Sequence, residues 1–110
     1  MLQVERHDNK TILNCHGNLI CGDEAEAMQA VIRRLITVTD KITIDLKGIR
    51  KMDCAGLGII VEAMRAASQQ GKVIQLRSVP RRIRSMFELT GLERILQQEK
   101  KALLVGASAA

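Results

Sequence analysis

Aromatic residues are almost missing from this chain: there is no Trp, no Tyr, and one Phe, at position 87. Readers of single strands and of RNA depend on aromatic stacking platforms, and such a platform cannot be built here. Only one Pro and 8 Gly occur in 110 residues, which leaves little room for a flexible linker. No apolar run approaches the roughly 18 residues a membrane span needs, and the opening residues lack the basic-then-apolar pattern of a signal peptide. A cytoplasmic protein without a membrane span is therefore expected. Three cysteines, Cys15, Cys21 and Cys54, are too few and too scattered to form a disulfide framework.

What is present is an ordinary globular balance. Apolar residues make up 46% and charged residues 26%, with 17 Lys+Arg against 12 Asp+Glu for a formal net charge of +5. The length suits one domain, residues 1–110, burying roughly two-thirds of its unfolded surface, with Ser108 to Ala110 frayed. The positive charge raises nucleic acid as a partner, but the missing aromatics argue against it.

The periodicity alternates between two and 3.6. Leu2 to Arg6 and Thr11 to Cys15 read as a hairpin around a break at residues 7–10, closed by Gly17. From Asp23, Met28, Val31, Ile32 and Leu35 recur at helical spacing, with Gly22 or Asp23 as the cap. Lys41 to Leu46 alternates as a strand ended by Lys47-Gly48, and Ile49 to Met52 reads as a connector. A second helix follows with Leu57, Ile60, Val61 and Met64 as its core stripe, stopped by Gly71. Val73 to Leu76 is the next strand. Pro80 opens a third helix carrying Ile83, Met86, Phe87 and Thr90 on one face, with Gly91 at its end. Leu92 to Gln97 reads as an edge strand and Glu99 to Val105 as a terminal helix. The predicted architecture is α/β, a mixed, mostly parallel sheet of four to five strands with helices mainly on one face.

One segment carries chemical information: Met52-Asp53-Cys54-Ala55-Gly56-Leu57-Gly58. Asp53 can cap the second helix, where its carboxylate meets orphan N–H groups and the positive end of the dipole. Gly56 and Gly58 remove side chains from the first turns, so that an anion or a partner can approach the backbone; a tight packing turn is the plainer reading. Arg81, Arg82 and Arg84 begin the third helix, where the dipole disfavours positive charge. They read either as a solvated face or as a surface for an acidic partner. Cys54 at a helix start could be a reactive thiolate or an inert small residue. Cys15, His16, Cys21 and Cys54 do not have zinc-ligand spacing, and adjacent Cys15 and His16 point to opposite faces of a strand. No triad or carboxylate pair is apparent. Neither a metal, a cofactor nor catalysis is expected.

The segment 53–58 resembles the hallmark of STAS-domain proteins, specifically the small bacterial anti-sigma factor antagonists, whose pattern is Asp-Ser-(Ser/Thr)-Gly-Leu-Gly. Gly17-Asn18-Leu19-Ile20 is similar to the family's Gly-Glu-Leu-Asp, and Pro80 to Leu92 resembles its late helix with a Gly-Leu exit. The resemblance implies stoichiometric binding of an anti-sigma factor that is a Ser/Thr kinase, and partner switching when that kinase phosphorylates the Ser after the Asp. Here the acceptor position is Cys54 and its neighbour Ala55, and neither has a hydroxyl. Asn18 and Ile20 replace the two acids. The implied docking surface comprises Asn18, Ile20, Cys21, Gly22, Asp53, Cys54, Ala55, Gly56, Leu57 and Gly58. The expectation is an antagonist that this kinase cannot switch off. Alternatives are a STAS scaffold subunit of a stressosome-like or lipid-transport assembly, or a thiol-based sensor using Cys54. The resemblance also implies that Cys21 and Cys54 are near neighbours without a disulfide between them. Weak homo-oligomer formation also stays open.

Overall fold

A computed structural model describes residues 2–20 and 22–91. Its elements run β1 (Leu2–His7), β2 (Lys10–Leu19), α1 (Asp23–Val38), β3 (Lys41–Met52), α2 (Cys54–Gln69), β4 (Val73–Arg77) and α3 (Arg81–Leu89). The strands form one sheet in the order β1-β2-β3-β4. β1 pairs antiparallel with β2 across the Asp8–Asn9 turn, while β2–β3 and β3–β4 are parallel. Parallel neighbours need crossovers, and α1 and α2 supply them. The edge strand expected at Leu92 to Gln97 and the helix at Glu99 to Val105 lie outside the described residues.

Alternation along each strand sorts the two faces of the sheet. Leu13, Ile44 and Leu76 stand in register across β2, β3 and β4, as do Thr11, Ile42 and Ile74, and all six are buried. They form one core with Met28, Ile32, Leu35 and Ile36 of α1, Leu57 and Ile60 of α2, and Ile83 and Phe87 of α3. The opposite face is polar. There Asn14 donates to Glu5 (3.0 Å), and Arg77 Nε donates to Asp45 Oδ2 (2.9 Å). Helices therefore cover one face, as the pattern predicts.

Two boundaries differ from expectation. β3 does not stop at Lys47-Gly48 but runs on to Met52, and β2 continues past Gly17 to Leu19. Gly48 is a crossing point, not a stop: a Cβ there would lie 2.8 Å from His16 Cβ and 2.9 Å from the Cys15 carbonyl oxygen. Register shifts between Asn14 and His16 and between Gly17 and Asn18 bend the pair at this place. The α2 stripe also differs. Ala63 and Ala67 are buried where Val61 and Met64 were expected, and the latter two are only partly covered. Small residues let α2 lie close to its neighbours, so the bulkier pair is turned to the helix flank. On α3, Thr90 is exposed and Met86 half-buried, leaving Ile83 and Phe87 as the core contacts.

Cys15 faces this core at 2% exposure, and burial pushes its thiol up from 9.0 to about 12. Alkylation of the native protein at pH 8 should therefore modify exposed Cys54 and leave Cys15 untouched until the chain is unfolded, as read by peptide mapping. The same shift fixes the sign of one pH effect. The folded state keeps the thiol proton that the unfolded chain loses near 9, so this contribution to stability should fall as pH rises from about 9 to about 12. Denaturant midpoints of the native protein and Cys15→Ala across that range would measure the difference.

Candidate functional site

The carboxyl ends of β2 and β3 and the start of α2 meet at one end of the sheet. Leu19 pairs with Met52, and Asn18 with Lys51, so the two strands arrive side by side. The Leu19 carbonyl then accepts the Asp53 N–H at 3.3 Å. Asp53 is the N-cap of α2: its Oδ1 accepts the Gly56 N–H at 3.0 Å, and its own carbonyl accepts the Leu57 N–H at 3.0 Å. An anion at this position also meets the positive end of the helix dipole. The expected junction, with Asp53 at the end of a strand and Cys54 to Gly58 opening a helix, is thus present.

The two glycines of the motif do different work. Gly56 is buried against Leu19, where an added Cβ would collide with the Leu19 carbonyl oxygen and lie 2.9 Å from Leu19 Cγ and 3.1 Å from Met52 Cγ. Its N–H is already bonded to Asp53, so it does not present a free donor to an anion. Gly58 is exposed, and a Cβ there would meet nothing within 4 Å. Packing does not require glycine at 58; an approaching surface would benefit from it.

What this junction offers to solvent is small and largely apolar. Cys54, Ala55 and Gly58 are exposed on the first turns of α2, and 54 and 58 share a helix face. Ile20 is 42% exposed beyond the end of β2, and Asn18 is exposed beside it. Gly22 caps α1 with φ 130° and ψ −154°, a conformation that residues with a Cβ rarely adopt, and this turns the chain from the rim into α1. Leu57, at 5% exposure, belongs to the core and supports the rim from below, as Gly56 does. Of the ten residues in the implied surface, Asn18, Ile20, Gly22, Cys54, Ala55 and Gly58 are exposed and Asp53 is half-buried. The Leu19 contacts with Asp53 and Gly56 join the segment around 18–20 to the start of α2. Cys21 lies outside the described residues, and so does its predicted proximity to Cys54. Among the described residues, no group of His, Cys, Asp and Glu is arranged to hold a metal ion.

One feature of this end escaped the sequence reading. Arg82 Nη2 donates to the Arg50 carbonyl at 2.6 Å, which seats the start of α3 against the end of β3. The run of arginines at 81–84 is visible in the sequence, but its contact with β3 is tertiary.

A family model described as Mlab, STAS domain matches residues 2–104. An anti-sigma-B factor antagonist of Staphylococcus aureus is 34% identical over 58 residues, 53% of this chain and 54% of that protein, so the match spans about half the length of that relative. The anti-sigma-B factor antagonist of Bacillus subtilis is 23% identical over 104 residues, 92% of each chain. Among solved structures, the Bacillus cell fate determinant SpoIIAA in its phosphorylated form has the same fold. Its TM-score is 0.72 at 20% identity, covering 86% of this chain and 87% of that one.

The division between the glycines can be measured. Gly56→Ala should destabilise the protein by about 1–3 kcal/mol, because the backbone of Leu19 must move to admit the methyl group. Gly58→Ala should be neutral or stabilising by about 0.5–1 kcal/mol, the usual gain from replacing an exposed helical glycine. Urea midpoints for the two variants would give both values, and equal effects would contradict the assignment.

Proposed function

The chain belongs to the STAS domain family, and on that premise we propose that it is an anti-sigma factor antagonist acting by stoichiometric binding. Its partner is a kinase-type anti-sigma factor in the cytoplasm. Support comes from both named relatives and from the junction geometry. The observation that carries the reading is the exposed rim itself. Ile20, Cys54, Ala55 and Gly58 form a low, small-residue surface held rigid by the Asp53 cap and the Leu19–Gly56 contact. A protein surface can approach such a rim closely without displacing a long side chain.

The exposed first turn is where a kinase would find an acceptor, and neither side chain there has a hydroxyl. A seryl hydroxyl at 54 would lie one residue past the cap, exposed, with no packing role to hold it back. Cys54 keeps the size and the exposure but not the oxygen nucleophile. In this reading the antagonist docks and releases sigma without being switched off by its partner, and its amount sets the response.

The test uses the purified chain, ATP with magnesium, and the kinase-type anti-sigma factor from the same genome. The expected result is a stable complex with no phosphate on Cys54 or Ala55 by intact-mass spectrometry, and a single phosphate gained by Cys54→Ser. Stoichiometric phosphate on the native protein, mapped to the start of α2, would refute the unswitchable antagonist. Failure to form any complex, with co-purification of transporter subunits instead, would favour the scaffold reading.

A further inference from the structure

Charge is distributed unevenly around the rim. β4 pairs with β3 only from Lys41 to Asp45, so the last residues of β3 extend past it. The start of α3 takes the vacated flank, anchored by the Arg82 hydrogen bond to the Arg50 carbonyl. That bond brings the start of α3 to the stretch of β3 that leads into α2, and Lys51, Arg81 and Arg82 are all exposed. Among the described residues none of the three is held in an ion pair; the pairs present are Lys72–Asp40 and Arg77–Asp45.

Two observations argue against a purely structural origin. Arg81 and Arg82 stand in the first turn of α3, against the helix dipole, whereas α1 carries Asp23, Glu24 and Glu26 in its first turn, as the dipole favours. The helix dipole therefore does not account for either arginine, although Arg82 also anchors α3 through the Arg50 carbonyl. Lys51 is the cross-strand partner of Asn18. In the Gly-Glu-Leu-Asp pattern that residues 17–20 resemble, an acid would stand at position 18 and neutralise it. Asn18 carries no charge, and among the described residues Lys51 has no ion pair.

We propose that Lys51, Arg81 and Arg82 form the electrostatic half of the docking surface, and that the anti-sigma factor presents an acidic surface opposite them. This rests on the function proposed above and names the chemistry of the partner. Ile20, Ala55 and Gly58 form the apolar half. The acidic first turn of α1, which follows the rim in the chain, sets the opposite sign against the basic patch. A partner docked in the reversed orientation would meet like charge on both flanks, so the patch fixes orientation and raises the association rate.

Binding of the purified kinase-type anti-sigma factor from the same genome to the native chain, Lys51→Glu, Arg81→Glu, Arg82→Glu and the control Lys10→Glu tests this. Lys10 lies at the opposite end of β2, and among the described residues Lys51 and Arg81 have no side-chain hydrogen bond, so their variants test charge even if Arg82→Glu loosens α3. Thermal melts check that each variant is folded. Lys51→Glu and Arg81→Glu should each weaken binding about tenfold, mainly through slower association, with a flatter dependence on salt, while Lys10→Glu binds as the native chain does. Native-like binding by the folded Lys51→Glu and Arg81→Glu variants would overturn the acidic-partner assignment and leave the antagonist reading intact. No binding by the native chain would overturn both.

Discussion

The contact of the Leu19 carbonyl with Gly56 is the constraint on which the functional end of this molecule depends. One oxygen accepts the Asp53 N–H, lies against the Cα of Gly56, and belongs to the residue that pairs with Met52. The end of β2, the end of β3 and the first turn of α2 are thus joined at a point with no room for a methyl group. The Asp53 carboxylate closes the arrangement by holding the Gly56 N–H. Because α2 starts this low on the sheet, Leu57 and Ile60 reach the core, and the opposite side of the same turns is left to solvent. Folding and display are two consequences of one close approach.

Much of the fold was legible because alternation and helical spacing change cleanly along the chain. The order of strands and helices, the Asp53 cap and the meeting of residues 18–20 with 53–58 all followed from pattern and resemblance. The differences have a common cause. Gly48 reads as a strand terminator when only its neighbours in sequence are considered; its reason for being glycine is His16 on the next strand. Val61 and Met64 are more hydrophobic than Ala63 and Ala67, yet the alanines are buried, since the space available to α2 decides which face turns inward. The two glycines of the motif look equivalent in sequence and differ only in what stands opposite them. Arg82 likewise shows its charge in the sequence but not its hold on the Arg50 carbonyl. Local preference is readable from a single segment, and steric reason is not.

Positions 54 and 55, where the family pattern that this segment resembles has hydroxyl residues, are placed where the fold is indifferent to the side chain. Asp53 caps, Gly56 permits contact and Leu57 fills the core, so these three are tied to the stability of the domain. Cys54 and Ala55 lie between them in sequence yet face solvent. The helix periodicity that buries 56, 57 and 60 necessarily exposes 54, 55 and 58. A hydroxyl can therefore be removed from this turn without weakening the structure that presents it. Under the proposed function, recognition of a partner and response to that partner's chemistry depend on neighbouring residues that are mechanically independent. In the function proposed above, a chain of this fold can lose the switch and keep the surface, and the pairing of Lys51 with the uncharged Asn18 lets the charge of that surface vary under the same independence.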